Sequence, residues 1–236
     1  MNKRNKRRND RKFWNKEYKE VKHLSLSSNP SEDLLKFTRW LGRQHKDQQM
    51  SQGDIVLDIG CGNGRNLVYL SRTFGINGVG IDISKEAIAQ AMDMSKSLPL
   101  EYKCQSIADP LLLRDESCSI VLDMMASHVL NSEKRNRLLS EIARVLKPGG
   151  WFFFKTFLLD EDRHAERLLR ENPGEEEGTY IHPKSGTPEH VFTEDEIERT
   201  LEPYFLIHKI SKSHRHILRG KAFKRRSVSV YAEKKF

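Results

Sequence analysis

The amino-acid sequence predicts an α/β fold in which helices cover both faces of a doubly wound, mostly parallel sheet. Two observations support this prediction. From residue 54 onward, apolar runs of four to eight residues alternate with amphipathic stretches of ten or more. A glycine-rich turn follows the first of these runs, and an acidic residue ends the second. Strands and helices in alternation form parallel sheets, because each helical crossover returns the chain to the same edge.

The first 50 residues are predicted to precede the sheet. Residues 1–12 contain seven Lys or Arg and one Asp, so we expect a disordered basic arm. Residues 13–50 are expected to form an N-terminal helical cap. Its main helix should begin with Asn29 as N-cap and Pro30 at the first helical position, and should end near Gln44.

Strands and helices alternate in the central part of the chain. Apolar runs predict strands at 55–59, 78–81, 100–105, 120–124 and 151–156. Amphipathic stretches predict helices at 66–73, 85–97 and 133–146, the last closed by a Lys-Pro-Gly-Gly turn.

The alternation stops after residue 156. Residues 158–192 form a polar insertion with a helix expected at 160–170. Thr193 is a helix N-cap, and the alternating runs 204–210 and 227–232 are expected to pair as an antiparallel hairpin. We therefore predict one domain over residues 13–236.

Composition restricts the class of protein. In a chain of 236 residues, 37% hydrophobic residues are enough for a substantial core. No apolar run approaches the roughly 18 residues of a membrane span, and no apolar segment follows the basic N-terminus. A cytoplasmic protein without membrane contact is therefore expected. The cysteines at 61, 104 and 118 lack metal-ligand spacing, so no metal site is predicted.

The turn after the first predicted strand is the most informative local motif, because residues 58–66 read DIGCGNGRN. Its glycines allow a sharp turn and close approach of a ligand, and the next helix presents free N–H groups. A dinucleotide motif, G-x-G-x-x-G, would need glycine where Arg65 stands, and this side chain would obstruct a pyrophosphate. The turn therefore argues against a dinucleotide.

An acidic residue ends the second predicted strand. Asp82 lies 24 residues after Asp58, in the sequence GIDIS. A carboxylate at this position can accept both hydroxyls of a ribose, whereas the alternative role is to cap the helix that begins near Ser84. The combination of the turn and the acid favours a nucleoside ligand.

With these motifs, the chain resembles the class I S-adenosylmethionine-dependent methyltransferases, which have a Rossmann-like fold. The likeness covers roughly residues 51–157 and is greatest to small methyltransferases of the methyltransferase type 11 and tellurite-resistance kinds. Residues 13–18, FWNKEY, are similar to the W-[DN]-x-x-Y segment of those proteins. The resemblance implies a seven-stranded sheet with an antiparallel last strand, and S-adenosyl-L-methionine as cofactor.

The resemblance also implies roles for individual residues. The glycines would lie against the methionine part of the cofactor, Asp82 would hold the ribose, and Ile83 would face the adenine. The full set implied for the cofactor is Asp58, Gly60, Gly62, Gly64, Asn66, Asp82, Ile83, Asp109 and Asp123. Trp14, Tyr18 and Arg65 would contact the acceptor, although Trp14 and Tyr18 could equally be core residues of a short helix.

A general base is optional for this chemistry. Displacement at a sulfonium methyl group can be accelerated by orientation and a dry pocket alone. His128, His182 and His190 are candidate bases because each is expected on a connection from the carboxyl end of a strand, and each could instead be structural. His190 is the first candidate, because the insertion should close over the cofactor; Asp123 would lie beside the methyl group. His182 and His190 are also candidate substrate contacts.

Two acceptor classes are disfavoured by the sequence. Residues 123–126 read DMMA, whereas amino methyltransferases acting on adenine or glutamine carry [DN]-P-P-[YF] at this place. No cysteine stands in the P-C or T-C arrangement of cytosine C5 enzymes. We therefore predict methyl transfer to an oxygen, nitrogen or sulfur atom of a small molecule.

Basic residues suggest an alternative acceptor. The net charge of +8 is concentrated in the arm and in residues 214–226, which hold six Lys or Arg and no acid. Such segments suit docking to RNA, either tRNA or rRNA, but are also typical of a solvated loop and a solubilising arm. A third hypothesis is a non-catalytic S-adenosylmethionine-binding protein. The sequence does not predict the oligomeric state.

Overall fold

The computed structural model describes residues 3–20, 27–44, 50–214, 217–218, 221–222 and 225–235. Within these ranges, the side chains of residues 3–10, 217–218 and 221–222 are not described. Among the described residues, no helix has both the length and the apolar character needed to cross a membrane.

Helices and strands alternate along the chain. The helices are α1 Lys3–Glu20, α2 Glu32–Gln44, α3 Arg65–Phe74, α4 Lys85–Met94, α5 Ser132–Val145, α6 Arg163–Glu171 and α7 Glu194–Leu201. The strands are β1 Ile55–Ile59, β2 Asn77–Asp82, β3 Leu100–Cys104, β4 Cys118–Met124, β5 Leu146–Leu158, β6 Thr179–Ile181, β7 Pro188–His190, β8 Phe205–Lys212, β9 Ile217–Leu218, β10 Lys221–Ala222 and β11 Arg226–Lys234.

The main sheet has seven strands in the order β3-β2-β1-β4-β5-β11-β8. β2 is parallel to both β1 and β3, and β11 is antiparallel to both β5 and β8. The last strand of the chain is therefore inserted antiparallel between two strands that run the same way. This topology confirms the predicted fold class.

The chain divides into two compact units. The first comprises Met1–Asp109 with Ser117–Leu122, and the second comprises Pro110–Glu116 with Asp123–Phe236. Each unit has its own buried apolar residues. One domain over residues 13–236 stays a prediction.

The first unit is built on the parallel strands β1 and β2. Leu57 and Ile59 of β1 are buried, and α3 buries Leu67 and Leu70. α3 begins after a glycine and ends at a glycine, both with positive φ, so the helix has a sharp start and stop. These local signals explain why the sequence predicts this part of the chain closely.

The second unit is built on β5 and β11. Residues 151–154 of β5 are all buried, as expected for a strand covered on both faces. α5 begins after Asn131, whose side chain accepts a hydrogen bond from the backbone N–H of Lys134 (3.2 Å). α7 begins after Thr193, which caps the N–H of Glu196 in the same way (3.1 Å).

The structure differs from the predicted elements at several places. β5 begins at Leu146 and so includes residues 147–150, which the sequence predicts as a turn. α1 runs through residues 3–12, which the sequence predicts as a disordered arm; Lys and Arg are good helix formers, so high charge does not prevent helix formation. α2 begins at Glu32, three residues after the predicted cap. The insertion contains the antiparallel hairpin β6–β7, whose strands are too short to give a periodic signal.

Candidate functional site

The glycine turn in the first unit is anchored to the neighbouring strand. The backbone N–H groups of Gly60 and Cys61 donate to the carbonyl oxygen of Ile81, at 2.8 and 3.0 Å. Gly62 and Gly64 have φ values of 56° and 77°, in the left-handed region that side chains disfavour. The turn is therefore held in one conformation and carries no side chains at these positions.

The carboxylate of Asp82 joins this turn to the next helix. One carboxylate oxygen accepts from the N–H of Gly62 (3.0 Å) and the other from the N–H of Ser84 (2.8 Å). Asp82 is 8% exposed. Burial raises the pKa of this carboxyl group, and the hydrogen bonds from Ser84 and Gly62 partly offset that effect. Each oxygen has a second lone pair, so the carboxylate can accept hydroxyl groups as well.

α1 lies over the turn. A Cβ atom at Gly62 would collide with the hydroxyl group of Tyr18. The side-chain oxygen of Asn15 accepts from the Ser84 hydroxyl (3.0 Å) and from the N–H of Lys85 (2.9 Å), at the start of α4. Burial, followed by the charge of Asp82, raises the pKa of the Tyr18 hydroxyl. The predicted aromatic segment is therefore fixed against both motifs.

Other predicted residues of the first unit lie near the glycine turn or support neighbouring segments. Asp58 is buried near the end of β1. Its charge raises the pKa of the Tyr18 hydroxyl, and the charge of Arg65 lowers it. Asn66 has a supporting contact, because its side-chain oxygen accepts from the N–H of Ser31 (3.0 Å). Three further predicted residues, Trp14, Ile83 and Asp109, are half-buried.

In the second unit, Asp123 is the second-last residue of β4 and is 1% exposed. One carboxylate oxygen accepts from the N–H groups of Ala126 (3.2 Å) and Ser127 (3.1 Å). Burial outweighs these bonds and raises the pKa of Asp123 to about 6. The carboxylate thereby fixes the turn that carries the next predicted residue.

That residue is His128, on a 3-10 turn at Ser127–Val129, and it is 6% exposed. Its ring packs edge-on against Phe157, with centroids 5.1 Å apart. Burial lowers the pKa of His128 to about 4. Its Nδ1 atom is buried and has no hydrogen-bond partner among the residues whose side chains are described. The ring is uncharged at neutral pH.

His190 and His182 are engaged in local structure. The ring nitrogens of His190 contact the Thr179 hydroxyl (3.0 Å) and the Glu196 carboxylate (2.8 Å). Nδ1 of His182 accepts from the N–H of Ser185 (3.2 Å), within a turn of the insertion. The partners of His190 lie on β6 and α7, so this side chain ties the hairpin to the helix.

A cluster around Arg225 was not predicted from the sequence. The guanidinium group lies 3.5 Å from the ring centroid of Phe157 and donates to the Tyr180 hydroxyl and the Glu189 carboxylate. Burial would raise the pKa of Glu189, but the positive charge of Arg225 together with the hydrogen bonds from Tyr180 and Arg225 outweighs burial, and the pKa is lowered. Only the density of basic residues hinted at this cluster.

Two of the six basic residues in the 214–226 loop are thus engaged inside the protein. Arg225 belongs to the cluster above, and Arg226 donates to the carbonyl oxygen of Asp160 (2.7 Å) and is 7% exposed. The side chains of the other four, at positions 215, 219, 221 and 224, lie outside the described residues.

Comparison with known families identifies the central segment. Residues 56–150 match a family model described as a methyltransferase domain. This segment runs from β1 into β5 and contains Asp82, Asp123 and the glycines of the turn.

Curated relatives match over part of their length. A fatty-acid O-methyltransferase of Mycolicibacterium smegmatis is 30% identical over 143 residues, which are 60% of this chain and 51% of the relative. A malonyl-[acyl-carrier protein] O-methyltransferase of Marinomonas sp. is 33% identical over 108 residues, 45% of this chain and 39% of the relative. The chain therefore spans about half or less of the length of these relatives.

Solved structures match over most of the chain. A SAM-dependent methyltransferase from Methanosarcina mazei has a TM-score of 0.68 at 25% identity, covering 79% of this chain and 94% of that one. A Burkholderia thailandensis 1,6-didemethyltoxoflavin-N1-methyltransferase also has a TM-score of 0.68, at 15% identity, covering 100% and 92%. At that identity, the second likeness concerns the fold alone.

Proposed function

We propose that this class I methyltransferase domain binds S-adenosylmethionine at the glycine turn of its first unit and transfers the methyl group to an oxygen atom of a small molecule. The observation that carries the proposal is the joint arrangement of Gly62 and Asp82. The turn presents backbone rather than side chains at Gly62, and the carboxylate that fixes it retains lone pairs for ribose hydroxyls.

The residues of the first unit fit this cofactor. Gly62 and Gly64 place backbone rather than side chains along the turn, and α3 begins directly behind them without a side-chain cap at Gly64. Asp82 would hold the ribose, and Tyr18 would cover the turn from α1. The bound cofactor supplies a methyl group on a positively charged sulfur atom.

The contribution of the protein is mainly to bind and orient. Transfer needs an acceptor lone pair in line with the methyl–sulfur bond, and holding that geometry can supply much of the acceleration. Among the predicted histidines, His128 is the best candidate to accept a hydroxyl hydrogen bond, since its ring is uncharged and its Nδ1 atom has no partner among the described side chains. His190, whose two nitrogens are engaged, would position the insertion.

The choice of an oxygen acceptor is supported by the two relatives above, both O-methyltransferases. RNA is less well supported as the acceptor, because Arg225 and Arg226 are engaged in internal contacts. The RNA hypothesis and the hypothesis of cofactor binding without catalysis are kept as outcomes of the test.

Calorimetric titration with S-adenosylhomocysteine tests the cofactor site. Asp82→Ala should weaken binding about 5- to 150-fold, which corresponds to roughly 1 to 3 kcal/mol for hydrogen bonds to a charged group. Asp93→Ala, on the exposed face of α4, is the matched control and should bind like the wild type. A folded Asp82→Ala protein with unchanged affinity would remove this carboxylate from the site.

The acceptor is tested with cofactor labelled at the methyl group, offered separately with small-molecule extract and with total RNA. Label in small molecules that is released by mild alkali, as from methyl esters, supports an oxygen acceptor. Label in RNA would overturn the proposed acceptor. Cofactor binding without label in either fraction would favour the non-catalytic alternative.

A further inference from the structure

The second unit contains a cavity of about 200 Å³ that is lined by residues of α5, α7 and β5. Its inner wall is apolar and formed by fully buried side chains, among them Ile142 of α5, Phe152 of β5 and Leu201 of α7. Thr200, which is half-buried, also lines it. The cavity therefore has a buried apolar floor and opens at a polar rim that includes the exposed residues Ser132 and Asn136.

Three charged side chains that line the cavity have partners in the protein. An Arg135 guanidinium nitrogen donates to the carbonyl oxygen of Leu130 (2.6 Å). Glu196 contacts His190, and Asp123 accepts the N–H groups of the turn that follows it. An apolar group that enters the cavity would gain contact with the aromatic and aliphatic wall of its inner part.

The position of the cavity relates it to the proposed reaction. It reaches Asp123 and Ser127 at the carboxyl end of β4, adjacent in sequence to His128. Ligands of open α/β sheets bind outside the carboxyl ends of the strands. A molecule whose polar end lies beside this turn could therefore extend an apolar part into the cavity.

The volume sets the size of that apolar part. A buried apolar cavity of about 150 Å³ accepts benzene. A cavity of 200 Å³ has room for a slightly larger hydrocarbon group, a chain of about six to eight carbons.

We propose that this cavity binds the hydrocarbon chain of the methyl acceptor. The acceptor is then an amphipathic molecule with a polar, methyl-accepting end and an aliphatic chain of about six to eight carbons inside the second unit. The identification of this ligand as the acceptor rests on the proposed function, whereas chain binding itself does not.

A homologous series of sodium alkanoates, from butyrate to dodecanoate, tests the site by calorimetry on the full chain. Affinity should rise about fourfold with each methylene group until the chain fills the cavity, and should then level off. The same series of 1-alkanols separates the contribution of the chain from that of the head group. Absence of binding, or affinity independent of chain length, would overturn the proposal.

Two substitutions block the cavity in different ways. Ile142→Trp places a ring inside it, and Thr200→Trp closes it from α7 without altering a fully buried residue. Each should lower octanoate affinity at least tenfold. Glu198→Trp adds the same ring on the exposed side of α7 and is the matched control. Folded variants at positions 142 and 200 that bind octanoate like the wild type would contradict the assignment.

Titration of S-adenosylhomocysteine into the same preparations separates the two proposals. Cofactor binding without alkanoate binding removes the chain site and leaves the proposed function in place. Alkanoate binding without cofactor binding supports the chain site and contradicts the proposed function.

Discussion

Burial acts on two titratable residues of the second unit in opposite directions. The pKa of His128 falls to about 4 and that of Asp123 rises to about 6, because a buried site disfavours the charged form of either group. Asp123 has hydrogen-bond donors around it that limit its shift. The two residues therefore make pH-dependent contributions of opposite sign to stability.

Replacing His128 with leucine should change the acid dependence of stability. The folded-state pKa is below the ordinary value of 6.5, so the unfolded chain binds the extra proton between pH 6.5 and about 4. As the pH falls through this window, the free energy of unfolding of the wild type should decrease by up to about 3 kcal/mol relative to that of His128→Leu. Urea unfolding at several pH values measures the difference.

The exposed residue His214 provides the control for this measurement. His214→Leu should follow the wild-type pH profile. A His128→Leu profile parallel to that of the wild type would mean that the ring is not held in its neutral form.

At single positions, the sequence predicts contacts between neighbouring segments of the chain and misses contacts between segments that are far apart in the sequence. Asp82 could be predicted because it acts on the turn that precedes its own strand and on the helix that follows. The partners of His190 could not, since a hairpin and a separate helix bring Thr179 and Glu196 to its two nitrogens.

Among the elements, the hairpin β6–β7 has a charged contact with the residue that precedes β11. Arg225 lies on the ring of Phe157 and pairs with Glu189 of β7. Arg225→Ala would leave this carboxylate largely buried without its cation. We expect a loss of about 3 kcal/mol of unfolding free energy, together with faster amide hydrogen exchange in residues 179–190.

Arg199 supplies the comparison for that experiment, since its side chain is 72% exposed on α7. Arg199→Ala should change stability by less than about 0.5 kcal/mol. Equal effects of the two substitutions would show that Arg225 does not fix the hairpin.

Prediction of the elements succeeds where the apolar pattern is long. The paired runs 204–210 and 227–232 are confirmed as β8 and β11 because alternation over several residues defines a strand face. β6 and β7 have three residues each, which is too short for such a pattern. Their pairing is accompanied by side-chain contacts such as that of Tyr180 with Glu189 (2.6 Å).

For the whole molecule, cofactor binding should be visible as stability. A ligand at one hundred times its dissociation constant adds about 2.7 kcal/mol to the unfolding free energy when only the folded chain binds it. For a protein of this size, this corresponds to a rise in Tm of about 5 to 10 °C. Differential scanning fluorimetry with S-adenosylhomocysteine measures the shift.

The same concentration should shift Asp82→Ala much less and Asp93→Ala as much as the wild type. If the wild-type Tm does not rise at saturating S-adenosylhomocysteine, the proposed cofactor is wrong, whatever the result of the alkanoate titrations.

The fold class could be predicted because it depends on the succession of elements along the entire chain. Net charge was a weaker guide, since a list of basic residues does not separate those that face solvent from those used in packing. Arg226 illustrates this, because it is buried and donates to Asp160 and Ser213.

The contact between Asn15 and the start of α4 has a consequence for biosynthesis. The two bonding partners are 70 residues apart. At roughly 5 to 20 residues per second, the ribosome makes Lys85 about 4 to 14 seconds after Asn15. Until the turn at residues 60–64 has been made, the side chain of Tyr18 has no glycine turn to cover, so it is available to chaperones that bind nascent chains.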